Sequence, residues 1–333
     1  MSLCARPSPV GTLAADRRSR GGRMAHSKAV GEMLSGDHVC LAYDSAEERR
    51  AILMAFVRDG LLSGQAVVYL VEDETAGSAA DRLRAAFGAP RTGASGRRAS
   101  GPGAGLDAGL RAALDDALDD GRMTVLTRGE IGSGPAGVED AIGGAVESAL
   151  RRGRAGVRVT AEASPSLRGW PGTDRFAAFE DAIRRAVAGP GSAAMALCQY
   201  DRRWFVGDHL RAVEDCHGVR VRADDLFDDG VLRITPLFAP PGLRLSGAID
   251  ESTLPALVAA LRDVDDRAPH LCLDLSRLDF CDLDGLRTLI EANRTSTVLD
   301  RQVILRSMPG CMELMLRVSG WETAPGIVTE GVR

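Results

Sequence analysis

Short apolar runs alternate with helical segments through the first two thirds of the chain, and this alternation constrains the fold more than any other feature. The runs 38–43, 66–71 and 156–161 have the length of buried strands, and helical patterns separate them. Parallel strands need long crossover connections, which helices supply, and they are apolar on both faces when they are buried. The sequence therefore predicts an α/β fold with a mainly parallel sheet and helices on both faces.

The length of the chain, 333 residues, is typical of two domains. A tail rich in Arg, Ser and Gly, 1–29, is predicted to be disordered, and the first domain follows at 30–223. Inside that domain a Gly- and Ala-rich segment, 88–105, is predicted to be a flexible insertion. An acidic linker, 224–231, then leads to a smaller α/β domain at 232–328.

Charge, apolar runs and cysteine usage exclude several classes of protein. Lysine and arginine total 41 against 46 for aspartate and glutamate, a net charge of -5, whereas a general nucleic-acid grip needs a basic face. No stretch approaches the ~18 apolar residues that mark a membrane-spanning helix. The chain has 7 cysteines, an odd number with no CxxC pair, which favours reduced thiols in a cytoplasmic protein. We expect direct contact neither with nucleic acid nor with a membrane.

Three short sequence segments of the second domain together form a motif. Gly247–Asp250 precedes a helix, Asp274–Ser276 ends a strand, and 280–286 (FCDLDGL) opens another helix. This pattern resembles the STAS family of anti-sigma-factor antagonists, in which a strand ends in Asp-Leu-Ser and a helix begins with Asp-Ser-Ser-Gly-Leu. The resemblance implies a surface that binds a partner protein, formed by Asp250, Asp282, Leu283, Asp284 and Gly285.

In that family the phosphorylated serine lies immediately before the glycine, and the matching position here is Asp284. A helix N-terminus has unpaired N–H groups and a partial positive charge, so phosphate at this point changes the partner-binding surface strongly. Asp284 cannot accept a phosphate from a serine kinase and supplies one negative charge instead. The module is then either held in a partly phospho-like state or switched by the other domain. A third interpretation is that Asp282 and Asp284 only cap the helix.

Two short sequence motifs characterise the first domain. His38-x-Cys40-x-x-Tyr43 lies near its start, and Cys198-Gln-Tyr-Asp lies near its end. Together they resemble the MEDS sensory domain, which is linked to the sensing of hydrocarbon derivatives and is similar to a degenerate RecA- or KaiC-type ATPase. The turn at 42–49, where such an ATPase carries its phosphate loop, has no glycine or lysine but has three acidic side chains. A RecA-like sheet with a lost phosphate loop is therefore expected.

A ligand pocket is predicted where the strands of this sheet end. Ligands of parallel sheets bind outside the carboxyl ends of the strands. If the first and last strands are neighbours, their final side chains converge. The candidate pocket residues are Tyr43, Glu72, Glu162, Tyr200 and Asp201.

Three further residues lie within the same strands. His38, Cys40 and Cys198 are interpreted as core residues, Cys40 and Cys198 as small buried side chains and His38 as a hydrogen-bonded one. The alternative is a metal or redox site made of these three, which is disfavoured because metal sites usually need a further ligand at workable spacing.

These features predict a regulatory protein that is not an enzyme and needs no cofactor. The MEDS-like domain would sense a small molecule or a partner. The STAS-like domain would bind an anti-sigma factor of the histidine-kinase-like type or a STAS paralogue, acting on transcription indirectly, and a homodimer is compatible with this. The alternatives are a nucleotide-binding or ATP-hydrolysing KaiC-like protein and a non-enzymatic scaffold in a STAS assembly. A DNA-binding repressor ranks last, because the chain has no helix-turn-helix pattern or basic stripe.

Overall fold

The computed structural model describes residues 26–71, 74–88, 102–132, 134–162, 169–188, 192–264, 270–292 and 301–331. Within these ranges the chain forms two sheets, each covered by helices of its own. None of the helices in these ranges is both long enough and apolar enough to cross a membrane.

The described strands of the first sheet are β1 (His26–Ala29), β2 (His38–Tyr43), β3 (Ala66–Val71), β4 (Met123–Thr127), β5 (Val157–Glu162), β6 (Ala194–Asp201) and β7 (Val219–Arg222). Their order across the sheet is β1-β7-β2-β6-β5-β3-β4. Every described pair of neighbours is parallel, which confirms the predicted α/β class.

The helices of this domain are α1 (Ala46–Leu62), α2 (Ala76–Gly88), α3 (Pro102–Asp119), α4 (Arg128–Ile131), α5 (Pro135–Arg151), α6 (Asp174–Val187) and α7 (Asp208–His217). They cover both faces of the sheet, and β3 shows how. Val67, Tyr69 and Val71 pack with α1, α2 and α3, whereas Val68 and Leu70 pack with α5 and α6 on the other side. Successive side chains of a strand point to opposite faces, so an apolar run is buried twice.

Six described strands form the second sheet: β8 (Phe227–Asp228), β9 (Leu232–Phe238), β10 (Pro241–Ile249), β11 (His270–Cys281), β12 (Gln302–Arg306) and β13 (Ile327–Glu330). Their order is β13-β12-β11-β10-β9-β8, parallel from β10 to β13 and antiparallel from β8 to β10. The helices α8 (Leu254–Asp263), α9 (Leu283–Glu291) and α10 (Gly310–Val318) share a single core with it. Leu271, Leu273 and Leu275 of β11 face that core.

The structure corrects three of the predicted boundaries. Residues 26–29 of the predicted tail form β1, because they pair with β7, which is almost two hundred residues away in sequence. Residues 102–105 of the predicted insertion are the first turn of α3, which begins with a proline, a favourable first helical residue. Gly88, the first residue of the predicted insertion, is the last residue of a helix, and the remaining parts of both segments, 1–25 and 89–101, lie outside the described residues.

The predicted linker, 224–231, joins the two domains but contains a strand of its own, β8, which pairs with β9. The Asp224 carboxylate accepts the backbone N–H of Gly31 at 2.8 Å. The next carboxylate, Asp225, accepts bonds from Arg222 of the first sheet at 2.7 Å and from Thr235 of the second at 2.5 Å. Two of the acidic side chains of this segment therefore act as hydrogen-bond acceptors between the domains.

Candidate functional site

The loops that follow β10 and β11 meet at one edge of the second sheet. The two strands are parallel neighbours, and Ile249 stands opposite Cys281 where they end. The backbone N–H of Asp282 donates to the carbonyl of Ile249 at 3.0 Å, which ties the two loops together. This contact brings the predicted residue Asp250 next to the predicted segment 282–285.

The two acidic residues at the start of α9 have different roles. Asp282 is the N-cap, and its carboxylate accepts the backbone N–H of Gly285 at 2.7 Å. Asp284 lies in the first turn, with its side chain 69% exposed and 3.4 Å from an Arg287 nitrogen. The interpretation that both residues cap the helix therefore applies to Asp282 alone, and Asp284 presents its negative charge to solvent.

Gly285 allows the helix to approach the strands closely. A Cβ atom at this position would lie 2.5 Å from Cγ2 of Ile249 and 3.0 Å from Sγ of Cys281. The first contact is shorter than real Cβ atoms show, and the second is tighter than most of their contacts. Gly285 is buried, so it contributes to the predicted surface by positioning the helix.

Asp250 organises the other loop. Its carboxylate accepts the Ser252 hydroxyl at 2.6 Å and the Ser252 backbone N–H at 2.9 Å. The hydrogen bond from the Ser252 hydroxyl is the main reason why the pKa of Asp250 lies below its ordinary value. The carboxylate is therefore ionised at neutral pH and adds a second negative charge to this edge.

Two large apolar side chains flank these charges. Phe280 is 53% exposed and Leu283 is 47% exposed. Exposed aromatic and aliphatic side chains beside charged groups are typical of protein-binding surfaces. We call the group Asp250, Phe280, Leu283 and Asp284 the acidic-apolar surface.

A polar network occupies the carboxyl ends of β3, β5 and β6 in the first domain. Arg49, from the first turn of α1, donates to Gln199 at 2.7 Å, to the Tyr69 hydroxyl at 2.9 Å and to Glu162. Arg82 of α2 donates to Glu162 at 2.8 Å and to the Tyr69 hydroxyl at 3.0 Å. The predicted pocket residue Glu162 is thus the centre of this network.

The charge of Glu162 is set by its two arginine partners. Burial alone would raise the pKa of Glu162, but Arg49 and Arg82 outweigh it and lower that pKa. Burial and the Glu162 carboxylate together raise the pKa of the Tyr69 hydroxyl, which therefore stays protonated. Glu74 also pairs with Arg82, so the network combines two anions, two cations and the neutral Tyr69 hydroxyl, and these groups satisfy one another within the protein.

The structure divides the predicted pocket. Strands β2 and β6 are neighbours as expected, and Tyr43 stands opposite Asp201. Tyr43 is half-buried beneath the Arg49 guanidinium, 5.8 Å from its ring centroid, while Asp201 pairs with Arg203. Tyr200, however, is fully buried and points to the opposite face of the sheet, because adjacent residues of a strand alternate. The fifth residue, Glu72, lies outside the described residues.

A cleft of about 340 Å³ lies elsewhere in this domain, between α5 and the strands β3 and β4, of which β4 is at the edge of the sheet. Small apolar side chains line most of it, and Arg152 and Arg154 also contribute. It contains none of the predicted pocket residues and begins at the amino end of β3. The polar network at the carboxyl ends of the strands therefore lies apart from this cleft.

Four buried side chains meet on the face of the sheet to which Tyr200 points: His38, Glu180, Cys198 and His217. Their nitrogen, sulfur and oxygen atoms all lie within 4.8 Å of one another. Of the three predicted metal or redox candidates, His38 and Cys198 belong to this cluster.

The third candidate, Cys40, lies apart, because its thiol points to the Val219 carbonyl 3.7 Å away. Sequence reasoning missed Glu180 and His217. Glu180 did carry a signal, since a carboxylate on the apolar face of α6, after Phe176 and Phe179, is costly unless it is paired.

The fold defines a protein of two α/β domains, in which a larger domain precedes a smaller one. The family profile described as MEDS, MEthanogen/methylotroph, DcmR Sensory domain, matches residues 37–132 and 104–218, which together span more than half of the chain. The chain belongs to the MEDS family. The profile described as Mlab, STAS domain, matches residues 234–329.

Both predicted resemblances are therefore confirmed, and the two domains support a regulatory or signalling role. A comparison with curated proteins found no significant match.

Proposed function

We propose that this protein is a cytoplasmic sensor and regulator whose STAS domain binds an anti-sigma factor or a related partner, and whose MEDS domain controls that binding. The observation that carries the proposal is the exposed Asp284 carboxylate in the first turn of α9, beside the exposed side chains of Phe280 and Leu283. Apolar contacts supply affinity for a partner, and a charge at their edge adjusts it.

Asp282 and Asp284 have different roles, and this difference allows the charge at position 284 to control partner binding. Asp282 already satisfies the helix start, so the charge at position 284 can change without loss of the cap. A carboxylate supplies one permanent negative charge, whereas phosphoserine adds nearly two and can be removed. Of the two interpretations of Asp284, this permanent charge favours the one in which the other domain switches the module.

Contacts at the junction support control by the MEDS domain. Phe238 of β9 packs against the apolar cluster of the first domain that includes Val39 and Leu41. Asp224 binds the backbone of Gly31, as described above. A ligand that favours one arrangement of these contacts would change the affinity of the STAS domain for its partner.

The same features argue against catalysis. Arg49, the last residue of the turn that replaces the phosphate loop, is already paired with Glu162 and Gln199. Three acidic side chains, Asp44, Glu47 and Glu48, surround the turn itself and would repel a triphosphate. We therefore propose a non-enzymatic regulator that does not hydrolyse ATP.

Affinity capture from the native host tests the proposal. The baits are the full chain, Asp284→Ser, Asp284→Ala and a matched control, Glu313→Ala, which removes an exposed carboxylate from the first turn of another STAS helix. We expect capture of a histidine-kinase-like anti-sigma factor, and a change of about tenfold in the Kd of the purified pair for the two Asp284 variants only.

Two outcomes would contradict the proposal. Capture of STAS paralogues or of the protein itself, without an anti-sigma factor for any bait, would favour the scaffold. An equal effect of Glu313→Ala would mean that general charge, and not position 284, sets the affinity.

A further inference from the structure

The buried cluster of His38, Glu180, Cys198 and His217 has no role in the proposed function. Its members come from four elements, β2, α6, β6 and α7, and all four side chains are buried. Ionisable groups are rarely buried together unless they are paired or coordinate a metal ion.

Three distances within the cluster are close to those between ligands that share one small cation. Oε2 of Glu180 lies 3.1 Å from Nε2 of His217 and 3.3 Å from Nε2 of His38. Sγ of Cys198 lies 3.5 Å from the same His38 nitrogen. Zinc bonds of about 2.0–2.1 Å to nitrogen and oxygen and about 2.3 Å to sulfur place tetrahedral ligands about 3.3–3.6 Å apart.

The tautomer of His217 is fixed by its helix. Its Nδ1 lies 2.7 Å from the carbonyl oxygen of Val213, which can only accept, so Nδ1 carries the proton. In the neutral ring the lone pair of Nε2 then points at the Glu180 carboxylate. Such a contact is repulsive unless a proton or a metal ion lies between the two atoms. Metal-binding histidines commonly donate their second N–H to a backbone carbonyl in this way.

Tyr200 orients the carboxylate. Its hydroxyl donates to Oε1 of Glu180 at 2.6 Å, while Oε2 faces the two histidines. This arrangement is typical of a carboxylate that binds a metal through one oxygen and is held by its surroundings through the other.

Protons alone would satisfy the cluster less well. If both rings were imidazolium ions, they would share the single Glu180 carboxylate with ring centroids only 4.3 Å apart. Like charges at this distance repel strongly in a buried site. One central cation interacts favourably with both neutral rings, the thiolate and the carboxylate.

We propose that His38, Glu180, Cys198 and His217 bind one divalent transition-metal ion of the zinc class. The mixture of one sulfur, two nitrogens and one oxygen suits zinc and not the oxygen-seeking calcium or magnesium. Four protein ligands leave no open position, so the ion is structural. It joins two neighbouring strands to two helices on one face of the sensory domain.

Metal analysis of the full chain tests this site directly. The protein is produced with zinc in the medium, freed of any purification tag and dialysed, and the metal content is then measured by mass spectrometry. We expect about one zinc ion per chain. After exchange for cobalt, we expect the visible bands of tetrahedral Co²⁺ and a thiolate-to-cobalt charge-transfer band in the near ultraviolet.

Matched variants assign the ligands. Cys198→Ser removes the charge-transfer band, whereas Cys40→Ser leaves it unchanged, because Cys40 lies outside the cluster. Cys40 is a matched control, since it is also buried and stands opposite Cys198 on the neighbouring strand. Tyr200→Phe weakens metal affinity by about 10–100-fold.

Three results would overturn the assignment: folded wild-type protein that neither retains zinc nor takes up cobalt, stoichiometric cobalt without a thiolate band, or equal loss in both cysteine variants. The wild-type measurements decide the matter even if Cys198→Ser does not fold.

Discussion

Replacing Gly285 by alanine is expected to destabilise the STAS domain, although alanine is the better helix former. Alanine is favoured over glycine in a helix by about 1 kcal/mol. The new methyl group would, however, lie 2.5 Å from Cγ2 of Ile249 and 3.0 Å from Sγ of Cys281. Ile249 is fully buried and β-branched, so it cannot turn away easily.

The two effects have opposite signs, and the packing effect is larger. Overpacking of a core costs about 1–3 kcal/mol, and a contact this short belongs at the upper end of that range. The net loss in the free energy of unfolding is therefore about 1–2 kcal/mol after the helix preference is subtracted. For a domain of this size it corresponds to a fall in Tm of about 4–16 °C.

The fluorescence of Trp321 can report on the unfolding of the STAS domain alone. The chain has 3 tryptophans, and Trp170 and Trp204, the two in the first domain, are largely exposed. Phenylalanine at both positions leaves Trp321, which packs against the STAS core, as the fluorescent reporter in urea and thermal unfolding.

The control is Gly310→Ala in the first turn of α10, where an added Cβ would meet nothing within 4 Å. This variant should be as stable as the parent or slightly more stable. A Gly285→Ala protein with unchanged or increased stability would refute the explanation of why glycine is needed here.

Further predictions concern charge and thiol reactivity. Glu162→Gln should lower the free energy of unfolding by about 2 kcal/mol at neutral pH, because Arg49 and Arg82 lose their shared anion. The pKa of Glu162 is lowered in the folded state, so this contribution is present above its ordinary value of 4.5 and is lost as pH falls through the folded pKa. Urea titrations at several pH values would contradict this if the two proteins differed equally at pH 7 and pH 3. In folded protein at pH 8, alkylation read by mass spectrometry should modify the exposed Cys311 well before Cys281, because burial raises the pKa of the Cys281 thiol to about 12. Equal rates without urea would count against the burial of Cys281, whereas equal rates in urea are expected.

Most of the fold can be predicted from local sequence patterns. The start of α1 illustrates this, because Ser45, a residue type favoured as an N-cap, accepts the backbone N–H of Glu48. Likewise, the segment 280–286 indicated a helix start, and Asp282 caps it. Such features depend on residues within one or two turns of each other, so a single sequence contains them.

Side-chain direction at the strand ends is also a local property. Tyr200 and Asp201 both end β6, but they cannot line one pocket, because adjacent side chains of a strand point to opposite faces of the sheet. Alternation along a strand sends Tyr200 to the face of Glu180 and His217 and leaves Gln199 in the network of Arg49.

The sequence by itself determined the two α/β domains, their order and the motif of the partner-binding surface, because hydrophobic periodicity and helix caps are local properties. Only the tertiary structure decided that Glu180 and His217, rather than Cys40, complete the cluster of His38 and Cys198. The physical reason is that strand order and helix packing bring together side chains separated by up to 179 residues of chain, and no local pattern records such a distance.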